Sequence, residues 1–203
     1  MMRKLGTSFF QRPDVVELAR ELVGKVLVTN FNGMKTSGRI VETEAYNGIV
    51  DKASHAFGGR RTARTEVMYA PGGTAYVYLC YGIHHLFNIV TNLEDIPHAV
   101  LVRAIHPLEG IPVMLERMGK PKQDHTIGRG PGNLSKALGI STLHTGLLLN
   151  NEIYIADDGY AVSADQLVAT PRIGVDYAGE DAKLPYRFYL QGDPYVSGKK
   201  FKT

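Results

Sequence analysis

Short runs of β-branched and aromatic residues, cut by Gly, Asn and Pro, recur along most of this chain, with few helical stretches between them. Residues 25–31 (KVLVTNF), 38–46 (GRIVETEAY), 74–81 (TAYVYLCY), 83–91 (IHHLFNIVT), 98–105 (HAVLVRAI) and 186–192 (YRFYLQG) each suit a pleated strand. Residues 147–158 read as a strand, a turn and a second strand, and 170–177 as a further strand. Asn32-Gly33 is a hairpin turn signal. Helical spacing is limited to Val15, Leu18, Ala19 and Leu22 before Gly24, to residues 107–119, and to a stretch starting near Leu134. So many strands exclude a helical bundle, and the irregular order of strands and helices excludes a Rossmann sheet. The expected fold is α+β: one domain, residues 1–203, with a mixed, largely antiparallel sheet and helices near its ends.

Chemistry concentrates in residues 38–55, GRIVETEAYNGIVDKASH. On a strand of period 2, Ile40, Glu42, Glu44 and Tyr46 point one way. Glu42 and Glu44 would stand about 6.5 Å apart and repel if partly buried. Such a pair, where a strand meets a loop at Asn47-Gly48, can do acid/base work. It can equally be solvated on an outward face, and these residues alone do not choose between the two.

Residues 47–73 form a long loop that carries Arg60, Arg61 and Arg64, which suit either phosphate contact or plain solvation. Alternation puts Tyr76, Tyr78 and Cys80 on one strand face, and Arg103 on a face with Leu101 and Ile105. An arginine among aliphatic strand residues snorkels or pairs with a carboxylate. GRGPGNLSKALGI, residues 128–140, could present backbone N–H groups to an anion or be a tight turn capped by Asn133 or Ser135; it lacks P-loop spacing.

A net charge of +3 is compatible with an anionic partner. A single cysteine, Cys80, excludes an internal disulfide and any multi-cysteine metal site, and suits a reducing compartment. The first residues lack the apolar core of a signal peptide, and no apolar run approaches a membrane span, the pattern expected of a cytoplasmic chain without membrane contact. The seven histidines show no metal-ligand spacing, so no metal or cofactor is expected. Eleven tyrosines and no tryptophan supply flat faces with polar tips. Tyrosines beside arginines and glutamates suggest something flat attached to phosphates.

The segments RIVETEAYNG, DKASHAFGGRRTARTEVMYAPGGTAYVYLCYGIHHLFNIVT and AVLVRAIHPLEG resemble the alkyladenine (3-methyladenine) DNA glycosylase family, in its bacterial form. TIGRGPGNLSKALGI and PRIGVDYAGEDAKLPYRFYLQGDPYVS match as well, so the resemblance covers nearly the whole chain. It implies one glycosylase domain with a curved sheet similar to the C-terminal domain of formyltransferases. It assigns the general base to Glu44 and puts Arg103 beside it, the two holding the attacking water. Tyr46 should stack on one face of an extruded base, with His55 and Tyr78 against the other and the His55 N–H on the base edge. Asn88 should exclude guanine through its exocyclic amine, and Tyr81 should wedge into the duplex. Arg60, Arg61, Arg64 and the Lys199-Lys200-Lys202 tail are candidates for phosphate contact. The implied activity is monofunctional, metal-free excision of 3-methyladenine and 7-methylguanine from double-stranded DNA by a monomer working on the nucleoid, as the first step of base excision repair. Hypoxanthine and etheno-adenine, being neutral, are expected to leave more slowly or not at all.

Overall fold

The structure, a computed structural model, describes residues 2–198. Among these residues nine strands form one sheet: β1 (Arg3–Lys4), β2 (Val26–Phe31), β3 (Met34–Tyr46), β4 (Ala75–Cys80), β5 (His84–Thr91), β6 (His98–Glu109), β7 (Ile153–Asp157), β8 (Leu167–Thr170) and β9 (Arg187–Leu190). Four helices accompany it: α1 (Thr7–Phe10), α2 (Val15–Leu22), α3 (Ile111–Met118) and α4 (Pro131–Leu138). The order is β1-β7-β2-β3-β6-β5-β4, every pair is antiparallel, and β9 lies between β3 and β8. This is the expected α+β class with an unclosed sheet. Among the described residues no helix is long and apolar enough to cross a membrane.

The thirteen-residue β3 is the spine. Its first half pairs with β2 through the Asn32-Gly33 turn, where both residues take positive φ, as a two-residue hairpin of this twist requires. Its second half lies between β6 and β9, so residues 42–44 have a strand on each side. One sheet face packs on the helices. Val41, Ala45, Val77, Phe87, Ile89, Val100 and Val102 join the main apolar core with α2 and α4. Thr43 Oγ1 donates to the Ala19 carbonyl of α2. The alternating residues of β3 to β6 face the other way, under the covering segments 47–73 and 171–183.

Several boundaries differ from expectation. Residues 107–109 extend β6, and α3 starts only at Ile111, after Gly110 in the left-handed region. Helix α4 begins at Pro131, after Gly130, with no side-chain cap; Asn133 Nδ2 instead donates to the Arg129 carbonyl. The first strand expected in 147–158 reduces to isolated bridges at Leu148 and Asn150. Residues 170–177 are not a strand past Thr170. Pro171 has no N–H, the Ile173 N–H goes to a glutamate, and Gly174 turns at φ 75°.

Candidate active site

Two irregularities in the β3–β6 pairing aim the chemistry. The register shifts between Ile40 and Glu42, and again between Glu42 and Thr43. Opposite them Ile105 pairs with Ile40 but Val102 with Thr43, so Val41 and then Arg103 are the unpaired residues. Ile40 and Ile105 therefore sink into the apolar core, whereas Glu42, Glu44, Leu101 and Arg103 remain on the opposite face. The unbroken period-2 reading had grouped Ile40 with the glutamates and Ile105 with Arg103.

Glu42 and Glu44 are both fully buried, which removes the solvated alternative. Glu44 Oε2 accepts from the Tyr46 hydroxyl at 2.8 Å and lies 3.2 Å from Arg103 Nη1. Its Oε1 accepts from the Ile173 N–H at 2.8 Å. Glu42 Oε1 accepts from Arg103 Nε at 3.1 Å and from Arg187 Nε at 2.7 Å, and its Oε2 accepts from the Ser197 N–H at 2.7 Å. The guanidinium of Arg103 thus joins the two carboxylates and offsets their mutual repulsion. Burial alone would lower the Arg103 pKa; Glu44 and Glu42 outweigh it and raise the value, so this side chain stays charged.

A cavity of about 210 Å³ opens on this face. Its walls include Tyr46, His55, Tyr76, Tyr78, Cys80, Asn88, Leu101, Arg103 and Ile173. It is smaller than the roughly 300–1,000 Å³ of drug-sized sites, so it suits one compact flat group. Tyr76, Tyr78 and Cys80, which the alternation groups on one face of β4, all line the cavity, while Ala75 and Val77 on the other face pack in the main core. Glu44 is not itself in the wall. It lies behind the floor, and the three groups that hold it, from Tyr46, Arg103 and Ile173, all come from wall residues.

His55 Nδ1 and the Tyr76 hydroxyl are 2.9 Å apart, and the His55 and Tyr78 rings meet edge to face at 4.8 Å. Burial, then the charges of Arg64 and Arg60, push the His55 pKa down to about 4, so its ring is neutral near pH 7. Among the described residues the His55 N–H meets no acceptor. Burial and then Glu44 hold the Tyr46 phenol well above its usual pKa, and burial raises that of Tyr78. The Asn88 amide, nearly buried, donates to the Tyr76 and Leu86 carbonyls, so its orientation is fixed.

Tyr81 sits at the tip of the β4–β5 hairpin, 91% exposed, with φ 51° followed by Gly82 at φ 72°. A bulky aromatic residue in the left-handed region is strained, and such strain clusters at functional positions. Of the three candidate arginines, Arg64 stands at the rim, its guanidinium 5.0 Å from the Tyr78 ring centre and 3.4 Å from His55 Nε2. Arg60 is exposed. Arg61 is exposed but held by Glu66 and Asp95, at 2.8 and 2.7 Å. The lysines of the tail, Lys199, Lys200 and Lys202, lie outside the described residues. Among the described residues no three His, Cys, Asp or Glu side chains gather to hold a metal ion.

Two arginines escaped the sequence reading. Arg172, its side chain fully buried, pairs with Asp51 at 2.5 and 2.8 Å and donates to the Ala45 carbonyl. Its guanidinium lies 4.9 Å from the centre of the Tyr46 ring. Arg187 is buried beside Glu42. No local signal marks them: only once Glu42, Glu44 and Asp51 are seen to be buried does the need for cations beyond Arg103 become visible.

The chain is similar to known proteins along nearly its whole length. The sequence profile described as methylpurine-DNA glycosylase (MPG) matches residues 8–194. A protein of Clostridium perfringens (strain 13 / Type A) is 43% identical over 205 residues, spanning 97% of this chain and 100% of its own length. One from Chlamydia pneumoniae is 48% identical over 197 residues, spanning 96% of this chain and 98% of its own. One from Desulfitobacterium hafniense (strain Y51) is 44% identical over 207 residues, spanning 98% and 100%. All three carry the provisional name 3-methyladenine DNA glycosylase.

Proposed function

The chain belongs to the methylpurine-DNA glycosylase family, and from that premise we propose that its cavity takes up a damaged purine rotated out of duplex DNA, for hydrolysis by water under the control of Glu44. The protein is a DNA-3-methyladenine glycosylase, a hydrolase of N-glycosyl bonds acting on DNA. The observation that carries the finer reading is Arg103, a residue of the cavity wall whose Nη1 lies 3.2 Å from the buried Glu44 carboxylate.

The glycosidic bond is out of reach inside a base stack, so the nucleotide must be extruded, at a cost of a few kcal/mol that is smaller for damaged bases. Tyr81, exposed and pre-bent at its hairpin tip, fills the gap left in the duplex. Tyr46 lies against one face of the base, with His55 and Tyr78 against the other. The His55 N–H offers a donor to the base edge, and the fixed Asn88 amide crowds a guanine amino group. As the bond breaks, the sugar gains oxocarbenium character. Glu44, acceptor-only in its present contacts, takes the proton of a water held against Arg103 and stabilises the developing positive charge. Arg103 and the Ile173 N–H are anchored by the strand and the backbone, so the Tyr46 hydroxyl is the contact that gives way to admit that water.

Purines alkylated at N3 or N7 are cationic. They are good leaving groups, and they gain about 0.5–2 kcal/mol on tyrosine faces. Neutral hypoxanthine and etheno-adenine leave more slowly. Among the described residues no lysine lines the cavity to form a Schiff base, so the product is an abasic site. A monomer acting on chromosomal DNA in the cytoplasm fits this reading. Chromatography of bases released from methylated duplex tests it: 3-methyladenine and 7-methylguanine appear with no borohydride-trapped adduct. Release of neither base, or a trapped adduct, would overturn it.

A further inference from the structure

We propose that Glu42 and Arg187, tied to the C-terminal segment at Ser197, act as positioning residues that set the charge and aim of Arg103 toward Glu44. The inference rests on Glu44 being the base. The four buried side chains run as an alternating series: Glu44 to Arg103 at 3.2 Å, Arg103 to Glu42 at 3.1 Å, Glu42 to Arg187 at 2.7 Å. The two acids and two bases cancel, so a charge change at one member is felt by the others in a site with little solvent to screen it.

The outer half of the series is fully satisfied. Arg187 also donates from Nη1 to Thr170 Oγ1 at 3.1 Å and from Nη2 to the Ser197 carbonyl at 2.7 Å. Ser197 returns its N–H to Glu42 Oε2 and stands 3.4 Å from Arg103 Nη2. The segment leading to Ser197 is held independently: Asp193 pairs with His106, the Pro194 carbonyl accepts from Arg129, and the Tyr195 hydroxyl accepts from Gln123. Glu44 is held by three wall residues, whereas Glu42 meets the wall only through Arg103, so Glu42 is the anchor that turns the Arg103 fork, leaving Nη1 toward Glu44.

Arg187 is also the cross-strand partner of Glu44 in the β3–β9 ladder, on the same sheet face. The charged and titratable groups about Glu44 are then Glu42 and Tyr46 from β3, Arg103 from β6, Arg187 from β9, Tyr78 from β4, and Arg172 with its Asp51 and Tyr177 from the covering segments. Removing the Arg187 charge leaves the series net negative, and removing the Glu42 charge leaves it net positive.

The test is the single-turnover excision rate of a methylated duplex against pH, with lesion-duplex affinity measured in parallel. Arg187→Gln should move the low-pH fall in rate upward by about two pH units, and Glu42→Gln should move it downward by a similar amount, the effect of one charge about 6.5 Å away at an effective dielectric near 20. Arg187→Lys should restore the wild-type midpoint, and affinity should change less than about twofold in all three. A purely structural role would lower the rate equally at every pH, and that result, or shifts of the same sign, overturns the proposal. Should Arg187→Gln fail to fold, the near-isosteric Glu42→Gln decides alone: a downward shift supports the relay, and an unmoved midpoint refutes it. Glu44→Gln separates the two levels: full excision by that variant removes the base assignment itself, whereas its inactivity beside unshifted profiles removes only the relay.

Discussion

Asp51→Ala should be among the most damaging single changes outside the cavity. Asp51 and Arg172 form a bidentate ion pair whose side chains are 1% and 0% exposed. Asp51 also accepts the N–H groups of Asn47 and Ala53, which fold the segment bringing His55 to the cavity. Truncating the acid strands a buried guanidinium, a loss of about 3–5 kcal/mol. Against a total stability of about 5–15 kcal/mol that is a large share. For a chain of this size it corresponds to a fall in Tm of about 6–20 °C. Thermal and urea unfolding followed by circular dichroism measure it. The double variant Asp51→Leu with Arg172→Met removes the stranded charge, so it should regain part of the lost stability, the rest staying lost because the Asn47 and Ala53 N–H groups and the Ala45 carbonyl lose their partners. It should not regain excision, because Arg172 also holds the Ala45 carbonyl and backs the Tyr46 ring. A loss below about 1 kcal/mol in the single variant, or a double variant no more stable than the single one, would refute the reasoning.

Other outcomes follow from the same geometry. Tyr81→Gly relieves a left-handed aromatic residue, so the free protein should hold or gain up to about 1 kcal/mol while capture of a lesion duplex weakens; equal capture, read by fluorescence anisotropy, would remove the wedge. The His55 pKa of about 4 lies below the 6.5 of an unfolded histidine, so the unfolded chain binds more protons between these values. Stability should therefore fall as pH drops from 6.5 toward 4, and the His55 resonances should titrate near 4 by NMR; a midpoint near 6.5 would contradict its burial. Log affinity for undamaged duplex should fall linearly with log salt, and Arg60→Ala and Arg64→Ala should each lower the slope by about 0.9. Arg61→Ala should alter it less, because that guanidinium is already held by Glu66 and Asp95.

Much of this was legible before the structure because it rests on period and composition. The β4 alternation grouped Tyr76 and Tyr78 on one face, the Asn32-Gly33 turn fixed the first hairpin, and Arg103 among aliphatic residues left pairing with a carboxylate as one of two readings. The resemblance singled out Glu44, a choice that spacing could not make. What stayed hidden depends on long-range partners. The two register shifts that bury Ile40 and Ile105 while leaving the carboxylates and Arg103 together have no local signature. Arg172 and Arg187 look like surface residues until Asp51 and Glu42 meet them from 121 and 145 positions away. The segment after Thr170 has strand composition, but its backbone is committed to the Glu44 side chain instead of a ladder.

The central claim is that a buried glutamate, held by a cavity-lining arginine, directs the water. It is tested most directly by single-turnover excision of 3-methyladenine with Glu44→Gln, alongside its affinity for the same duplex. Excision should fall at least about a hundredfold, the lower range for a lost general base, with affinity held within a few-fold. Wild-type excision rates in that variant would contradict the account.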